Sequence, residues 1–487
     1  MDRTRAFCVI DVGTGGVKCL VFDGAGNLVF SKNRAIDFRF EGYAISFDPD
    51  AVWKDICRMT RVAVEMCAKR KLKISTVSST SMREGNVFYD RDGSELLAVP
   101  NLDARSYKES EELSRSLGDQ IYVSSGHWPS PIFLASRLKF LGRNNPELFK
   151  KINAVSMVND WVLYKFSGKI AVEPTNGCET ALFSLKKRNW NEQLIKECDV
   201  GESIFPEVVE CGSVLGQVTK SASRASGLET KVEVVVGAAD TESAVAGCGL
   251  FDEGVAAVAG TTTPVQAVIQ EPTLDSERRT WTCCHVIPER WTLESNAGAT
   301  GLVLKWWARM TGQKFEDLDT EVEQENPVLG RVKVRIGTSI MNAKHPYPQV
   351  GTFSGVSTWS SRSEITLGIL ETNCFSVRAN LEQLESVLGK RFSEVSFCGG
   401  ASKSKLWRNL QAGVAGRKLI SYSLGEATGR GAAMLSAVAA GEFPNLTSAS
   451  KTFLKRKLSI IPDRHRFETY EPFYQEWLED IKGQVSC

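Results

Sequence analysis

The sequence predicts two α/β domains of related architecture with a ligand cleft between them. Three observations carry that expectation. The chain has 487 residues, more than one hydrophobic core usually organises. Short apolar runs ending in glycine alternate with stretches of helical periodicity, which is the pattern of βα units. One arrangement, a strand, a turn rich in glycine and hydroxyls and a second strand, opens each half of the chain and suggests an internal duplication. The boundary is expected at Gly247-Cys248-Gly249, giving domains over residues 1–247 and 248–487. A cleft between domains is a favoured ligand site.

The elements follow in order. Ala6 to Ile10 is apolar and β-prone, Asp11-Val12-Gly13-Thr14-Gly15-Gly16 reads as a turn, and Val17 to Phe22 as the returning strand. Asp23 to Asn27 is the next turn, and Leu28 to Phe30 begins a third strand. Val52 to Arg70 has helical periodicity. Ile74 to Met82 is strand-like and stops at Arg83-Glu84-Gly85. Lys231 to Val236 is a buried strand that runs into Gly237-Ala238-Ala239-Asp240. The second half repeats the opening with Val255 to Ala259, the turn Gly260-Thr261-Thr262-Thr263-Pro264, and Val265 to Ile269. Val395 to Cys398 leads into Gly399-Gly400-Ala401-Ser402, where a helix is expected to start with Ser402 as its N-cap. Glu426 to Ala440 reads as a further helix, ended by Gly441 with Pro444 beyond it.

Composition removes several function classes. Lys+Arg of 59 against Asp+Glu of 58 leaves no basic surface for nucleic acid or anionic lipid. No apolar run reaches the length of a membrane span. Met1 to Arg5 leads directly into a strand without an apolar leader segment, so a cytoplasmic location is expected. The 13 cysteines include no CxxC, and Cys283-Cys284 is their only close pair, which fits reduced thiols. His127, His285, His345 and His465 show no metal-ligand spacing, and no histidine-based metal site is expected.

Five segments could carry chemistry, and each also has a plain structural reading. Glycines at Gly13, Gly15 and Gly16 let backbone N–H groups approach an anion, and Thr14 can donate to a phosphate oxygen. Asp11 can hold a hydrated Mg²⁺, and Lys18 follows as a point charge for phosphate. Gly260 and Thr261 offer similar donors without a carboxylate. Both segments could equally be ordinary hairpin turns. Asp240, beyond the end of a strand, is placed for a general base, or alternatively for a helix N-cap. Arg83 and Glu84 together could bind the hydroxyls of one polyol, or form a surface ion pair. Gly399, Gly400 and Ala401 would let a flat ring lie against backbone, or simply make a tight strand-to-helix turn. The joint needs of phosphoryl transfer are donors and a metal around the phosphates, a positioned hydroxyl and a carboxylate to take its proton.

With these motifs the chain resembles the FGGY carbohydrate kinases of the actin, Hsp70 and sugar-kinase superfamily, over nearly its whole length. Asp11-Val12-Gly13-Thr14 with Lys18 is similar to that family's first phosphate motif, and Gly260-Thr261-Thr262 to the second. Phe397 to Ser404, with Trp407 and Val414-Ala415-Gly416, is similar to the adenosine motif. Gly351 to Glu371 follows one family signature, with Gly368 where Ala or Ser is usual. The other signature, around Pro131 to Leu141, is poorly kept, with Arg137 where Lys is usual. The resemblance implies a duplicated, actin-like (ribonuclease-H-like) fold whose halves close over ATP, Mg²⁺ and a sugar or polyol. It implies Asp240 as catalytic base, with Arg83, Glu84 and Asp240 contacting the acceptor. Asp11, Gly13, Thr14, Lys18, Gly260, Thr261, Gly301, Gly399, Gly400 and Ala401 would then lie at the nucleotide, and Asp11 would hold Mg²⁺ through water. An actin- or Hsp70-type regulator, the competing class, shares the two phosphate hairpins but not the Arg-Glu pair and base.

For the acceptor, Ser81 to Gly85, Asn101 to Arg105 and Asn159-Asp160-Trp161 are most similar to the autoinducer-2 kinases of the family, which act on a small linear dihydroxypentanedione. The Arg-Glu pair also resembles glycerol kinases, but Ile132 stands where those have an aromatic residue. Pentuloses such as xylulose and ribulose remain the alternative. Met82 and Trp128 could shape one wall of the pocket or be ordinary core. A small molecule is the expected partner, without nucleic acid or membrane, and a homodimer is left open.

Overall fold

The structure is a computed structural model that describes residues 4–344, 351–422, 425–455 and 457–485. In chain order the elements that frame the cleft begin with β1 (Arg5–Gly13), β2 (Gly16–Asp23), β3 (Leu28–Arg34), α1 (Pro49–Lys69) and β4 (Lys73–Ser81). They continue with α2 (Tyr107–Ser125), α3 (Leu134–Asn144), β5 (Val214–Gln217), β6 (Glu233–Ala239) and α4 (Asp240–Gly247). The second half holds β7 (Gly254–Val258), β8 (Pro264–Ile269), β9 (Trp281–Cys284), β10 (Trp291–Asn296), α5 (Thr300–Met310) and α6 (Arg362–Leu388). It ends with β11 (Glu394–Cys398), α7 (Lys405–Ala415), β12 (Lys418–Tyr422), α8 (Ala427–Ala439) and β13 (Lys457–Ile460).

The first sheet runs β5-β6-β4-β1-β2-β3 and the second β9-β10-β8-β7-β11-β12-β13. In the first, β1, β4 and β6 are parallel while β2 and β3 return antiparallel. In the second, β7, β11 and β12 are parallel while β8 and β10 return antiparallel. The same unit, an antiparallel meander followed by two parallel strands, is therefore built twice. This is the duplicated two-domain α/β architecture of the actin-like fold.

Alternation along β1 decides where its functional end points. Ala6, Cys8, Ile10 and Val12 join one core with α1, whereas Phe7 and Val9 join another with Ala432, Ala433 and Leu435 of α8. A strand buried on both faces reads as an unbroken apolar run, as β1 does. Asp11 is two residues beyond Val9, so it shares the α8 face at the strand's C-terminal end. In-register pairing of Val12 with Ser81, and of Ser81 with Ala239, brings the ends of β1, β4 and β6 level. Asp11, Arg83-Glu84 and Asp240 all follow from that alignment.

The halves meet where α4 crosses α8. A Cβ on Gly431 would lie 1.9 Å from the Ser243 carbonyl oxygen, and one on Gly247 would lie 2.0 Å from that of Ala427. The two helices thus touch backbone to backbone. Alanine in a helix interior normally gains up to about 1 kcal/mol over glycine. Here the contact is with rigid backbone, and overpacking costs about 1–3 kcal/mol. Gly431→Ala is expected to lower the unfolding midpoint, read by chemical denaturation.

Several expectations need correction. Ser402 does not cap α7. It lies in a 3₁₀ turn over Gly400–Lys403, and Ser404 is the N-cap, accepting from the Trp407 N–H at 2.9 Å. Asp240 is the first residue of α4 and makes no capping bond. Gly368 departs from the family pattern for a local reason, since a Cβ there would lie 2.4 Å from the Val332 carbonyl oxygen. The described cysteines are free thiols. His345 lies outside the described residues. Among the described residues no helix is long and apolar enough to cross a membrane.

Candidate active site

One cavity of about 660 Å³ is lined by both halves. From the first half come Asp11, Thr14, Lys18, Arg83, Glu84 and Asp240; from the second come Gly260, Thr261, Gly301, Gly399, Gly400 and Ala401. Gly13 lines it as well, so each nominated site residue reaches the same space. Met82 and Trp128 are not among its lining residues. Met82 is buried in the first-sheet core, and Trp128 packs beside α2 and α3.

At one end, two glycine turns face a helix start. Gly301 sits in the first turn of α5, where a Cβ would lie 2.1 Å from the Gly260 carbonyl oxygen. That glycine lets the helix N-terminus touch the Gly260-Thr261 turn, and Leu302 N–H donates to Thr261 O at 3.0 Å. Unpaired N–H groups at a helix start favour anions. Gly399 has φ +88 and leaves no room for a Cβ, which would meet Ala259 O at 2.5 Å. Ala401 N–H donates to the same carbonyl at 3.1 Å. The two turns are therefore tied at the ends of the paired strands β7 and β11.

The opposite turn is polar. Thr14 Oγ1 donates to Asn101 Oδ1 at 3.2 Å. Lys18 Nζ lies 3.2 Å from Glu426 and 3.9 Å from Asp11, bridging β2 to the approach of α8. Burial pushes the Asp11 carboxyl up to about 7; Lys18 opposes the rise, while Asp240 and Glu426 add to it. Burial likewise raises Asp240 above the ordinary aspartate range, against the pull of Arg83.

Beyond β4 the backbone is strained. Glu84 holds φ +58, a left-handed conformation that non-glycine residues seldom adopt. Arg137 of α3, fully buried, supports it. Its guanidinium donates to Glu84 O, to Asn86 Oδ1 at 2.8 Å, to Pro100 O at 2.8 Å and to Asp103 O at 3.0 Å. The residue that departs from the family signature thus clamps the Arg83-Glu84 corner from beneath. Burial raises the Glu84 carboxyl to about 8 even with Arg83 nearby.

Arg83 and Glu84 are not a surface ion pair; both are buried, and 3.8 Å separates Arg83 Nε from Glu84 Oε1. The principal partner of Arg83 is Glu294 of β10, in the second half, held by two parallel bonds of 2.6 and 2.8 Å. Glu179 accepts a third bond at 3.2 Å, and Glu242 Oε1 stands 3.8 Å away. Gln266 Nε2 donates to Glu242 at 2.6 Å and to Glu294 at 2.7 Å. His127 Nε2 faces Glu179 Oε2 at 3.0 Å, while its Nδ1 donates to Ser125 O at 2.7 Å. Burial alone would raise Glu179, but Arg83 and His127 hold it down at about 2. Sequence reasoning missed this network because its members lie in five separate segments with no common spacing. It also missed His127 as a partner of Glu179 and Cys283, whose ligand atoms converge within 4.8 Å.

Comparison with known proteins identifies the family and the fold. The model of the N-terminal domain of the FGGY family of carbohydrate kinases matches residues 6–247, and that of its C-terminal domain matches residues 255–440. An autoinducer-2 kinase of Enterobacter sp. (strain 638) is 29% identical over 490 residues, covering 96% of this chain and 92% of that protein. Among solved structures, a ligand-bound xylulose kinase from Lactobacillus acidophilus superposes with TM-score 0.87 at 17% identity, over 99% of both chains. A gluconate kinase from the same organism superposes with TM-score 0.87 at 18% identity, over 98% of both chains.

Proposed function

The chain belongs to the FGGY family of carbohydrate kinases, and we propose that it transfers the terminal phosphoryl group of ATP to a hydroxyl of a small linear acceptor of the autoinducer-2 (dihydroxypentanedione) type. The observation that carries this reading is one cavity lined by the glycine turns of both halves together with Asp240, Arg83 and Glu84. Pentuloses are the second reading, favoured by the likeness in fold to a xylulose kinase.

In this reading ATP lies with its ring against Gly399-Gly400-Ala401 and its phosphates beside the Gly13-Thr14 turn, the Gly260-Thr261 turn and the α5 start. Arg83 and Glu84 orient the acceptor. The Asp240 carboxylate accepts the hydroxyl proton as the new O–P bond forms and the bond from phosphorus to the bridging oxygen of ADP breaks. Asp11 suits a hydrated Mg²⁺. It offers a hard oxygen donor in a cavity where Asp240 and Glu426 also face the ligand, and after burial these two carboxyls add to the rise of its pKa against the pull of Lys18. When bound, the ion would neutralise charge on the phosphates. Closing the halves would exclude water, the competing acceptor.

The test is ADP release with Mg-ATP over a panel of autoinducer-2 precursor, xylulose, ribulose, glycerol, erythritol and a blank without acceptor. Release with the precursor supports the primary reading, and release with a pentulose alone replaces it by the second. ATP binding with no release on any acceptor counts against both.

A pH dependence follows. The base works only as carboxylate, so kcat falls as pH drops through the Asp240 pKa. Because burial raises that pKa, the acid limb should lie above the roughly 3.9 of a free aspartate. A rate that stays level down to pH 4 at saturating nucleotide would remove Asp240 from the role.

A further inference from the structure

We propose that His127, Glu179 and Cys283 bind a divalent transition-metal ion, Zn²⁺ by the chemistry of the set, in a closed site that joins the two halves behind Arg83. The site does not depend on the phosphoryl-transfer reading.

The local fold brings the three residues together. Gly126 ends α2 at φ +73, and its carbonyl accepts from Thr282 N–H at 3.1 Å. A Cβ on Gly126 would lie 2.3 Å from Thr282 O, so glycine lets the end of α2 lie against β9 this closely. His127 follows Gly126, and Cys283 follows Thr282 on the strand. Glu179 stands in a 3₁₀ turn over Cys178–Thr180, and the Cys178 thiol accepts from Cys284 N–H at 3.3 Å, which ties that turn to the same strand. His127, Glu179 and Cys283 are all fully buried. Their ligand atoms lie within 4.8 Å of one another. His127 Nε2 is 3.0 Å from Glu179 Oε2 and 3.8 Å from Cys283 Sγ. Around tetrahedral Zn²⁺ with its usual bond lengths these separations are about 3.3 and about 3.6 Å, so the atoms need to move by only about 0.2 to 0.3 Å.

The hydrogen bonding leaves these atoms free for a metal. His127 Nδ1 donates to Ser125 O at 2.7 Å, the outer bond that metal-binding histidines make, and Nε2 is left for the ion. A hydrogen bond from Nε2 would need its acceptor near the N–H axis. Glu179 Oε2 faces Nε2 off that axis and finds no hydrogen-bond donor among the described residues, while Arg83 Nη1 holds the other oxygen at 3.2 Å. Glu242 Oε2 is likewise buried without a donor, and the Glu242 carboxylate comes within 4.8 Å of the Cys283 sulfur. It is placed to complete the set as fourth ligand.

Charge also favours a cation. Glu179, Glu242 and Glu294, all buried, share the Arg83 guanidinium at 3.2, 3.8 and 2.6 Å. Buried charges need partners, and one guanidinium serves three carboxylates. Metal binding displaces the proton of the Cys283 thiol and any proton on Nε2. Nitrogen, sulfur and carboxylate oxygen at tetrahedral spacing make a zinc set, whereas Mg²⁺ and Ca²⁺ take oxygen donors. So placed, the ion ties β9 of the second half to the end of α2 and the Glu179 turn of the first.

The test is the metal content of the full-length protein, produced without a metal-binding tag in zinc-supplemented medium and dialysed against metal-free buffer. A second batch is produced with Co²⁺. The expected result is about one Zn²⁺ per chain and, in the cobalt form, the charge-transfer absorption of a cobalt–thiolate bond. Cys283→Ser should abolish that absorption and weaken zinc binding by about a hundredfold or more, since loss of an outer partner alone costs about ten- to a hundredfold. Cys284→Ser, whose thiol lies outside the set, should keep both. Zinc should raise the unfolding midpoint of the wild type and not that of Cys283→Ser. A wild type that carries no zinc and takes none up when refolded with it would overturn the proposal. So would a cobalt form without the thiolate absorption, or zinc held as tightly by Cys283→Ser as by the wild type. Should Cys283→Ser fail to fold, His127→Gln is titrated in its place, and zinc affinity equal to the wild type would overturn the site.

Discussion

Asp240→Asn should lower kcat by about a hundred- to ten-thousandfold while leaving Mg-ADP affinity and the fold intact. The amide cannot accept the hydroxyl proton, yet it fills the same volume at the first position of α4. Stability should move in the opposite direction to activity. Burial makes the ionised Asp240 unfavourable in the folded protein, so a neutral amide should be equal or better. The favourable effect of a carboxylate at a helix start, about 0.3–1 kcal/mol, works against this gain. An unchanged or slightly raised unfolding midpoint with collapsed turnover would mark a residue kept for chemistry. Turnover within a few-fold of wild type would remove Asp240 as base.

Arg83→Ala should produce the largest stability loss of any substitution at the cavity. Its guanidinium is the shared counter-ion of Glu294, Glu179 and Glu242, all fully buried. Removing one partner of a buried pair costs about 3–5 kcal/mol, because the charge left behind has no solvent to replace it. The loss should depend on pH, with a defined sign. In the wild type, Glu179 is held at about 2, so it contributes stability above its unfolded pKa that is lost as pH falls toward 2. Without Arg83, only His127 and Cys283 oppose burial at Glu179, while Glu84 and Glu242, which burial already raises against the pull of Arg83, rise further. A group with a raised folded pKa contributes fully below its unfolded pKa and loses that contribution as pH rises. The deficit of Arg83→Ala, measured by chemical denaturation, should therefore be larger at pH 8 than at pH 5. Acceptor binding should fall with it, while Mg-ADP affinity persists. A small deficit independent of pH would mean that the network does not carry the charge described here.

Much of the fold was legible because local signals and global architecture agree. The apolar run from Ala6 to Val12, the glycine turns after each opening strand and the amphipathic span of α1 each have one simple reading. The repetition of turn and meander gave the duplication, which the matched strand orders of the two sheets bear out. Residues that follow parallel strands were also readable, since the ends of such strands line the ligand crevice in α/β sheets. Side-chain partnerships were not. Arg83 and Glu84 are adjacent in sequence, yet Glu84 turns away in a left-handed conformation and Arg83 pairs across the cleft with Glu294. That outcome depends on tertiary packing that brings Glu294, on a strand inside the second sheet, to the end of β4, which no spacing in the chain encodes. Arg137 likewise looked like a defect in a signature, but five buried acceptors converge on it. Ser402 misled because two serines precede α7, and only the tight 3₁₀ turn of the backbone decides which one caps it.

The most direct test of the central claim is the mass of the acceptor after incubation with Mg-ATP, for the wild type beside Asp240→Asn at equal nucleotide occupancy. The account predicts an acceptor heavier by one phosphoryl group and an equal amount of ADP in the wild type, with neither product in the variant over the same time. ATP consumed without phosphorylated acceptor, or a variant that yields product at the wild-type rate, would contradict it.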